Sequence, residues 1–153
     1  MQQSARAILL TSDGLILLMQ FRAERGRLWI TPGGRIRPGE NAATAVRREI
    51  LEETGRDVGE VGNQVWVRRG RYLADGSWRE EQEHFFLVLV EKFEPVTARM
   101  EAEELALHQG FRWWSIEEIE RSAEVFVPRR MAELLRALRD AGSPSSPIDV
   151  TEG

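Results

Sequence analysis

The stretch Gly34–Arg56, GRIRPGENAATAVRREILEETGR, constrains this chain more than any other. Its last third places Glu49, Glu52 and Glu53 at i, i+3 and i+4, and a helix turns about 100° per residue, so the three carboxylates share one face. Asn41 is a good N-cap and Gly55 a good C′ residue, which predicts a helix over Ala42–Thr54. A cluster of hard oxygen ligands this tight suits Mg²⁺ or Mn²⁺.

A charged helix face is commonly just a solvated one, and the pairwise energies do not separate the two readings. Arg48 can pair with Glu52 and Glu52 with Arg56, each worth about 0.3–0.5 kcal/mol, while Glu49 and Glu53 repel by a similar amount. Rotation adds more. Ala42, Val46 and Ile50 form an apolar stripe; Glu53 projects onto nearly the bearing of Val46, Glu49 borders the stripe and Glu52 lies further round. Partly desolvated carboxylates need a partner, and a divalent cation supplies one.

The stretch resembles the Nudix box, G-x5-E-x7-R-E-U-x-E-E-x-G-U with U a bulky aliphatic. Gly34, Glu40, Arg48, Glu49, Ile50, Glu52, Glu53 and Gly55 match it. Arg56 stands where the family has an aliphatic residue, and Val58 is placed to take over that packing. From the chain's own residue frequencies, chance agreement is on the order of 10⁻⁵. The approach Leu28–Gly34 (LWITPGG) is also similar to that family's. The resemblance implies an α/β fold, an α/β/α sandwich built on a mixed β-sheet.

The rest of the sequence is compatible with that expectation. A chain of 153 residues suits one core. Cysteine is absent and His84 and His108 are the only histidines, so any metal here is held by oxygen. The net charge of −4, with no strongly basic segment, argues against duplex nucleic acid as a partner. No leader-like or membrane-spanning apolar run is present, which predicts a cytoplasmic protein with no membrane partner.

Arg6–Thr11 and Leu15–Phe21 read as strands joined at Ser12-Asp13-Gly14, followed by a charged loop, Arg22–Arg27, and a tight strand-and-turn segment, Trp29–Ile36. Gln64–Tyr72 and Trp78–Val90 read as a hairpin around Asp75-Gly76. A two-residue loop would set Arg71 opposite Glu80 and Arg68 opposite Glu83; Arg69 and Arg79 also read as partners of the hairpin glutamates. Phe85–Val90 is apolar on both faces and reads as a central strand. Arg112–Ser115 is a last short strand, Ser115 with Glu118 makes a capping box for Ile116–Arg121, and Pro128 opens a helix over Arg129–Asp140 with a Met131, Leu134, Leu135, Leu138 stripe. Residues 1–141 form the domain; 142–153 read as a mobile tail. Trp29, Trp66 and Trp78 read as packing residues before base-stacking ones, and His84 as a structural, hydrogen-bonded residue.

Proteins of the family that the box resembles hydrolyse a nucleoside diphosphate linked to another group. Bound divalent ions neutralise the phosphate charge that repels an incoming hydroxide. Carried over, the resemblance makes Glu52 and Glu53 metal ligands, Glu49 a ligand or the general base, and Arg48 the residue orienting the carboxylates, with Glu40 bracing the loop before the helix. Gly33 and Gly34 would let backbone approach metal or phosphate. Family members often add an acid from a later loop, for which Glu103 or Glu104 is the candidate. Arg22 and Arg35 are candidates for phosphate contact, and Tyr72 stands near an offset that accompanies dinucleoside polyphosphate hydrolysis in some relatives. A homodimer is a further expectation from the resemblance. The competing reading is a Nudix-like module that senses a nucleotide without cleaving it.

Overall fold

The computed structural model describes residues 1–23 and 26–152. In chain order the elements are β1 (Gln2–Leu10), β2 (Leu15–Ala23), β3 (Gly26–Ile30), β4 (Gly33–Arg35), α1 (Ala42–Thr54), β5 (Gln64–Ala74), β6 (Ser77–Leu89), α2 (Ala102–Leu107), β7 (His108–Ser115), α3 (Ile116–Arg121), β8 (Phe126–Val127), α4 (Met131–Ala141) and β9 (Ile148–Asp149). All the strands join one mixed sheet in the order β8-β3-β2-β1-β6-β5-β9, with β4 paired to β1 and β7 to β2. No helix among the described residues is long and apolar enough to cross a membrane.

Two apolar clusters cover the sheet's faces, as the strand periodicity requires. On one face Ala5, Ala7, Leu9, Phe86 and Val88 pack against Ala45, Val46 and Ile50 of α1. On the other, Ile8, Ile16, Leu18, Trp66, Phe85 and Trp114 pack against Ile116 and Ile119 of α3 and the predicted Met131, Leu134, Leu135, Leu138 stripe of α4. Phe85 and Phe86 therefore serve opposite faces, and β6, parallel to β1 from Gln2↔Glu81 to Leu10↔Leu89, is the covered central strand its composition predicts. Trp29, Trp66 and Trp114 are core residues.

Local chemistry fixes the ends of α1. The Asn41 side chain accepts from the Thr44 N–H at 2.8 Å, and Gly55 takes φ 76°, with its N–H donating to Leu51 O. Val58 packs on the α1 cluster, while Arg56 lies over the Phe93 ring at 5.2 Å. Ser115 and Glu118 form the predicted capping box.

Several boundaries differ from expectation. The expected loop Arg22–Arg27 is largely strand: Arg22 pairs in register with Arg27 and Ala23 with Gly26, while Glu24 and Arg25 lie outside the described residues. Charge suppressed the strand reading there, although edge positions tolerate it. In the β5–β6 hairpin, Asp75 and Gly76 both take positive φ, giving a two-residue loop and the predicted Arg68↔Glu83 and Arg71↔Glu80 register. Arg68 bonds Glu83 at 2.6 Å, but Arg71 lies over the exposed Trp78 ring at 5.1 Å. α4 starts at Met131, two residues later than expected. The expected mobile tail is docked from Ile148 onward: β9 pairs with the edge strand β5, Val150 is 3% exposed in the α4-side core, and the Thr151 hydroxyl accepts from the Arg69 N–H at 2.9 Å. The polar, proline-rich average concealed one valine able to enter the core and a free strand edge able to receive backbone bonds.

Candidate active site

The box helix carries its acids at graded depth. Glu53 is 2% exposed and Glu49 6%, while the Glu52 side chain keeps 24% of its surface in water. That order follows the rotation: Glu53 follows Val46 into the sheet-facing seam and Glu52 turns away. α2 supplies the third buried-side acid. One oxygen each from Glu49, Glu53 and Glu104 lie within 4.8 Å of one another. Glu104 is thus the later acid that the structure brings in; Glu103, its neighbour, is exposed and lies outside the group.

β4 passes beside these carboxylates on two glycines. The Gly33 N–H donates to Glu53 Oε1 at 2.7 Å. A Cβ on Gly34 would lie 2.7 Å from the Glu49 carboxyl carbon, so the absent side chain is what gives Glu49 its place. Arg48 then organises the rest. Its Nε and Nη2 grip both Glu40 oxygens at 2.8 and 2.9 Å, Nη2 donates to Arg35 O at 3.0 Å, and Nη1 donates to Glu49 Oε1 at 2.8 Å and Glu52 Oε2 at 3.5 Å. Glu40 also accepts from the Arg37 N–H at 3.1 Å, bracing the turn before α1; the bond from Arg48 holds its pKa down at about 2. Arg37, not Arg56, is the second cation beside Glu52, at 3.7 Å.

This arrangement leaves one oxygen unanswered. Glu49 Oε2 is buried and has no hydrogen-bond partner, a costly state for a carboxylate. Burial raises the pKa of Glu49 against the pull of Arg48. Burial first, then the charges of Glu104 and Glu49, hold Glu53 well above the ordinary carboxyl range, and burial raises Glu104 as well. Three crowded, desolvated carboxyl groups with an orphaned oxygen fit a divalent cation, which supplies the missing partner and the missing charge.

Without metal, that crowding has a pH signature. A carboxyl whose folded pKa is raised keeps its proton after the unfolded chain has lost it near pH 4.5, so stability falls as pH rises from there through the folded pKa. His84 and His108, held low by burial, act oppositely below about pH 6.5. The expected result is that chelator-treated wild type loses thermal stability relative to Glu53→Gln as pH rises from 5 to 8, measured by circular dichroism melts of both. Parallel curves would show that Glu53 is not strained.

The remaining sequence candidates are not members of the trio. Arg35 and Tyr72 share an acceptor: both donate to Gln2 Oε1, the tyrosine at 2.7 Å. Arg22 is exposed at the β2–β3 hairpin, opposite Arg27. His84 is a bridging residue, its Nε2 2.7 Å from Gln3 Oε1 and Nδ1 3.0 Å from Gln64 Nε2. Sequence reading paired Glu83 with Arg68 but missed Arg6, which also ion-pairs with Glu83, at 2.9 Å, beside the Gly33 turn. A signal was present: Arg6 interrupts a strand of small and apolar residues at an inward position, where a charge needs a dedicated partner.

Comparison with known proteins agrees with the geometry. The family model described as NUDIX domain matches residues 1–137. Over 118 residues the chain is 30% identical to the nucleoside triphosphatase NudI of Escherichia coli, covering 72% of this chain and 80% of that protein. Among solved structures, the E. coli ORF135 protein is 27% identical with a TM-score of 0.64, covering 95% of this chain and 94% of that one. A MutT NUDIX hydrolase from Burkholderia pseudomallei superposes equally well, at 0.64, with 23% identity over 88% of this chain and 95% of its own. With a family model matched over nearly the whole chain and a relative 30% identical over most of both lengths, the chain belongs to the Nudix family.

Proposed function

We propose that this protein hydrolyses the pyrophosphate linkage of a nucleoside triphosphate, releasing a nucleoside monophosphate and pyrophosphate, with Mg²⁺, or Mn²⁺ in its place, held by Glu49, Glu53 and Glu104. Family membership supports the reaction class, and the name of the E. coli relative supports a triphosphate within the wider group of nucleoside diphosphate derivatives. The observation that carries the reading is the convergence of those three acids around an unpartnered Glu49 oxygen. A bound divalent cation would neutralise phosphate charge and act as a Lewis acid on the scissile linkage. The chain's own part is positional. Gly33 N–H fixes one oxygen of Glu53, Arg48 fixes one oxygen of Glu49, and Glu40 fixes Arg48. Glu49 Oε2, with its raised basicity and no hydrogen bond to lose, is the oxygen free to take a cation or a water proton.

The test is incubation of purified protein with Mg²⁺ and a panel of nucleoside triphosphates, nucleotide sugars and dinucleoside polyphosphates, with products separated by chromatography. Monophosphate and pyrophosphate from at least one triphosphate is the expected outcome. Tight binding of one nucleotide with no cleavage of any compound would establish the sensor reading instead.

A further inference from the structure

Behind the Gly33 turn sits a charged group that the chemistry above leaves unused. Arg6 lies within β1 between fully buried Ala5 and Ala7, its side chain only 15% exposed. Its Nε donates to Glu83 Oε2 at 2.9 Å, and Nη2 lies 3.9 Å from Glu81. Nη1 donates to Gly33 O at 3.2 Å and reaches Thr31 O at 3.5 Å. Glu83 is gripped from its other oxygen by Arg68 of β5 at 2.6 Å. The guanidinium is therefore anchored by the sheet on one side and holds backbone carbonyls of the turn on the other.

Gly33 is where this matters. Its N–H points at Glu53 and its carbonyl at Arg6, while the preceding carbonyl, Pro32 O, accepts from the Ala7 N–H at 2.8 Å. With φ 152° and no room for a Cβ, 2.2 Å from Ala5 O, the turn has no side chain of its own to lock it. Orientation must come from groups that bond its peptides. Sheet cohesion alone does not require an arginine: a buried ion pair is commonly no better for stability than apolar residues of the same volume. What the arginine adds is a planar fork that meets Glu83 and the turn carbonyls together.

We propose that Arg6 is a positioning residue for the metal site: through the Gly33 turn it fixes where the Glu53 carboxylate stands, and the Glu83–Arg68 pair fixes Arg6. This rests on Glu53 as a cation ligand, and the test is chosen so that the two ideas fail separately. In Arg6→Lys the charge remains and the fork is lost. The variant is labelled with ¹⁵N-glycine and compared with wild type without metal or nucleotide. The Gly33 amide resonance is expected to shift more than those of the remote turn glycines Gly14 and Gly76. Mn²⁺ affinity, followed by electron paramagnetic resonance, is expected to weaken about tenfold, with kcat reduced and KM for the nucleotide little changed. A folded Arg6→Lys protein with an unmoved Gly33 resonance and wild-type Mn²⁺ affinity would overturn the proposal. Should that variant fail to fold, Glu83→Gln, which leaves Arg6 a neutral anchor, is expected to shift the same resonance and weaken Mn²⁺ in the same direction; no change in either would overturn it equally. The Gly33 resonance and the Mn²⁺ affinity do not need turnover, so a wild type that cleaves nothing would sink the substrate assignment and leave this inference standing.

Discussion

Glu53→Gln is expected to lower turnover by roughly 10³-fold, about 4 kcal/mol of transition-state stabilisation, while the protein stays folded and, without metal, melts at a higher temperature than wild type. Two features of Glu53 produce these opposite effects. It is nearly inaccessible to water and lies against Glu49 and Glu104, so its ionised form is held in place at a cost. Glutamine has the same shape and retains an oxygen to accept from the Gly33 N–H, so the local structure has no reason to change. Lost is the charge, and with it the ability to bind a cation strongly. Activity assays beside melting curves in chelator check both halves. A variant that loses activity and stability together would mean that Glu53 serves the fold.

Gly34→Ala is the second large effect. A Cβ there would sit 2.7 Å from the Glu49 carboxyl carbon and Oε1 and 2.8 Å from Oε2. These atoms are the far end of a flexible side chain, and Gly34 has no positive φ, so the backbone accepts alanine and the carboxylate moves aside. Displacement of a reacting group by about 1 Å costs on the order of 10² in rate. The expected result is a loss of that size in kcat with a nearly unchanged melting temperature. Gly33→Ala is the contrast: its Cβ would meet the backbone oxygen of Ala5 at 2.2 Å, so that substitution should damage the fold itself.

Much of this was legible in the sequence because the signals are local. Asn41 and Gly55 bound α1 at the predicted residues, Asp75-Gly76 set the hairpin register, and Ser115-Glu118 capped α3, each through chemistry confined to a few neighbouring positions. The relative depths of Glu49, Glu52 and Glu53 followed from helical rotation. What was hidden depends on contacts distant in sequence. Choosing Glu104 over Glu103 requires knowing which α2 side chain reaches Glu49 and Glu53, which no spacing within Met100–Glu104 encodes. Glu52 matches the box as well as Glu53 does, yet Arg37 and Arg48 accompany it outside the trio. Arg35 and Tyr72, candidates for substrate contact, are drawn to Gln2 of β1, a partner that only strand pairing brings near. Val150 reaches the core by adding β9 to an edge, a long-range event that a polar segment does not announce.

Whether Glu49, Glu53 and Glu104 together hold one divalent cation is read out by titrating the protein with Mn²⁺ under electron paramagnetic resonance, without nucleotide. Glu104→Gln is predicted to weaken Mn²⁺ at least about tenfold, while Glu103→Gln, one residue away on an exposed position, leaves it unchanged. Equal affinities for wild type and Glu104→Gln would contradict the account, because the cation would then be held by some other set of oxygens.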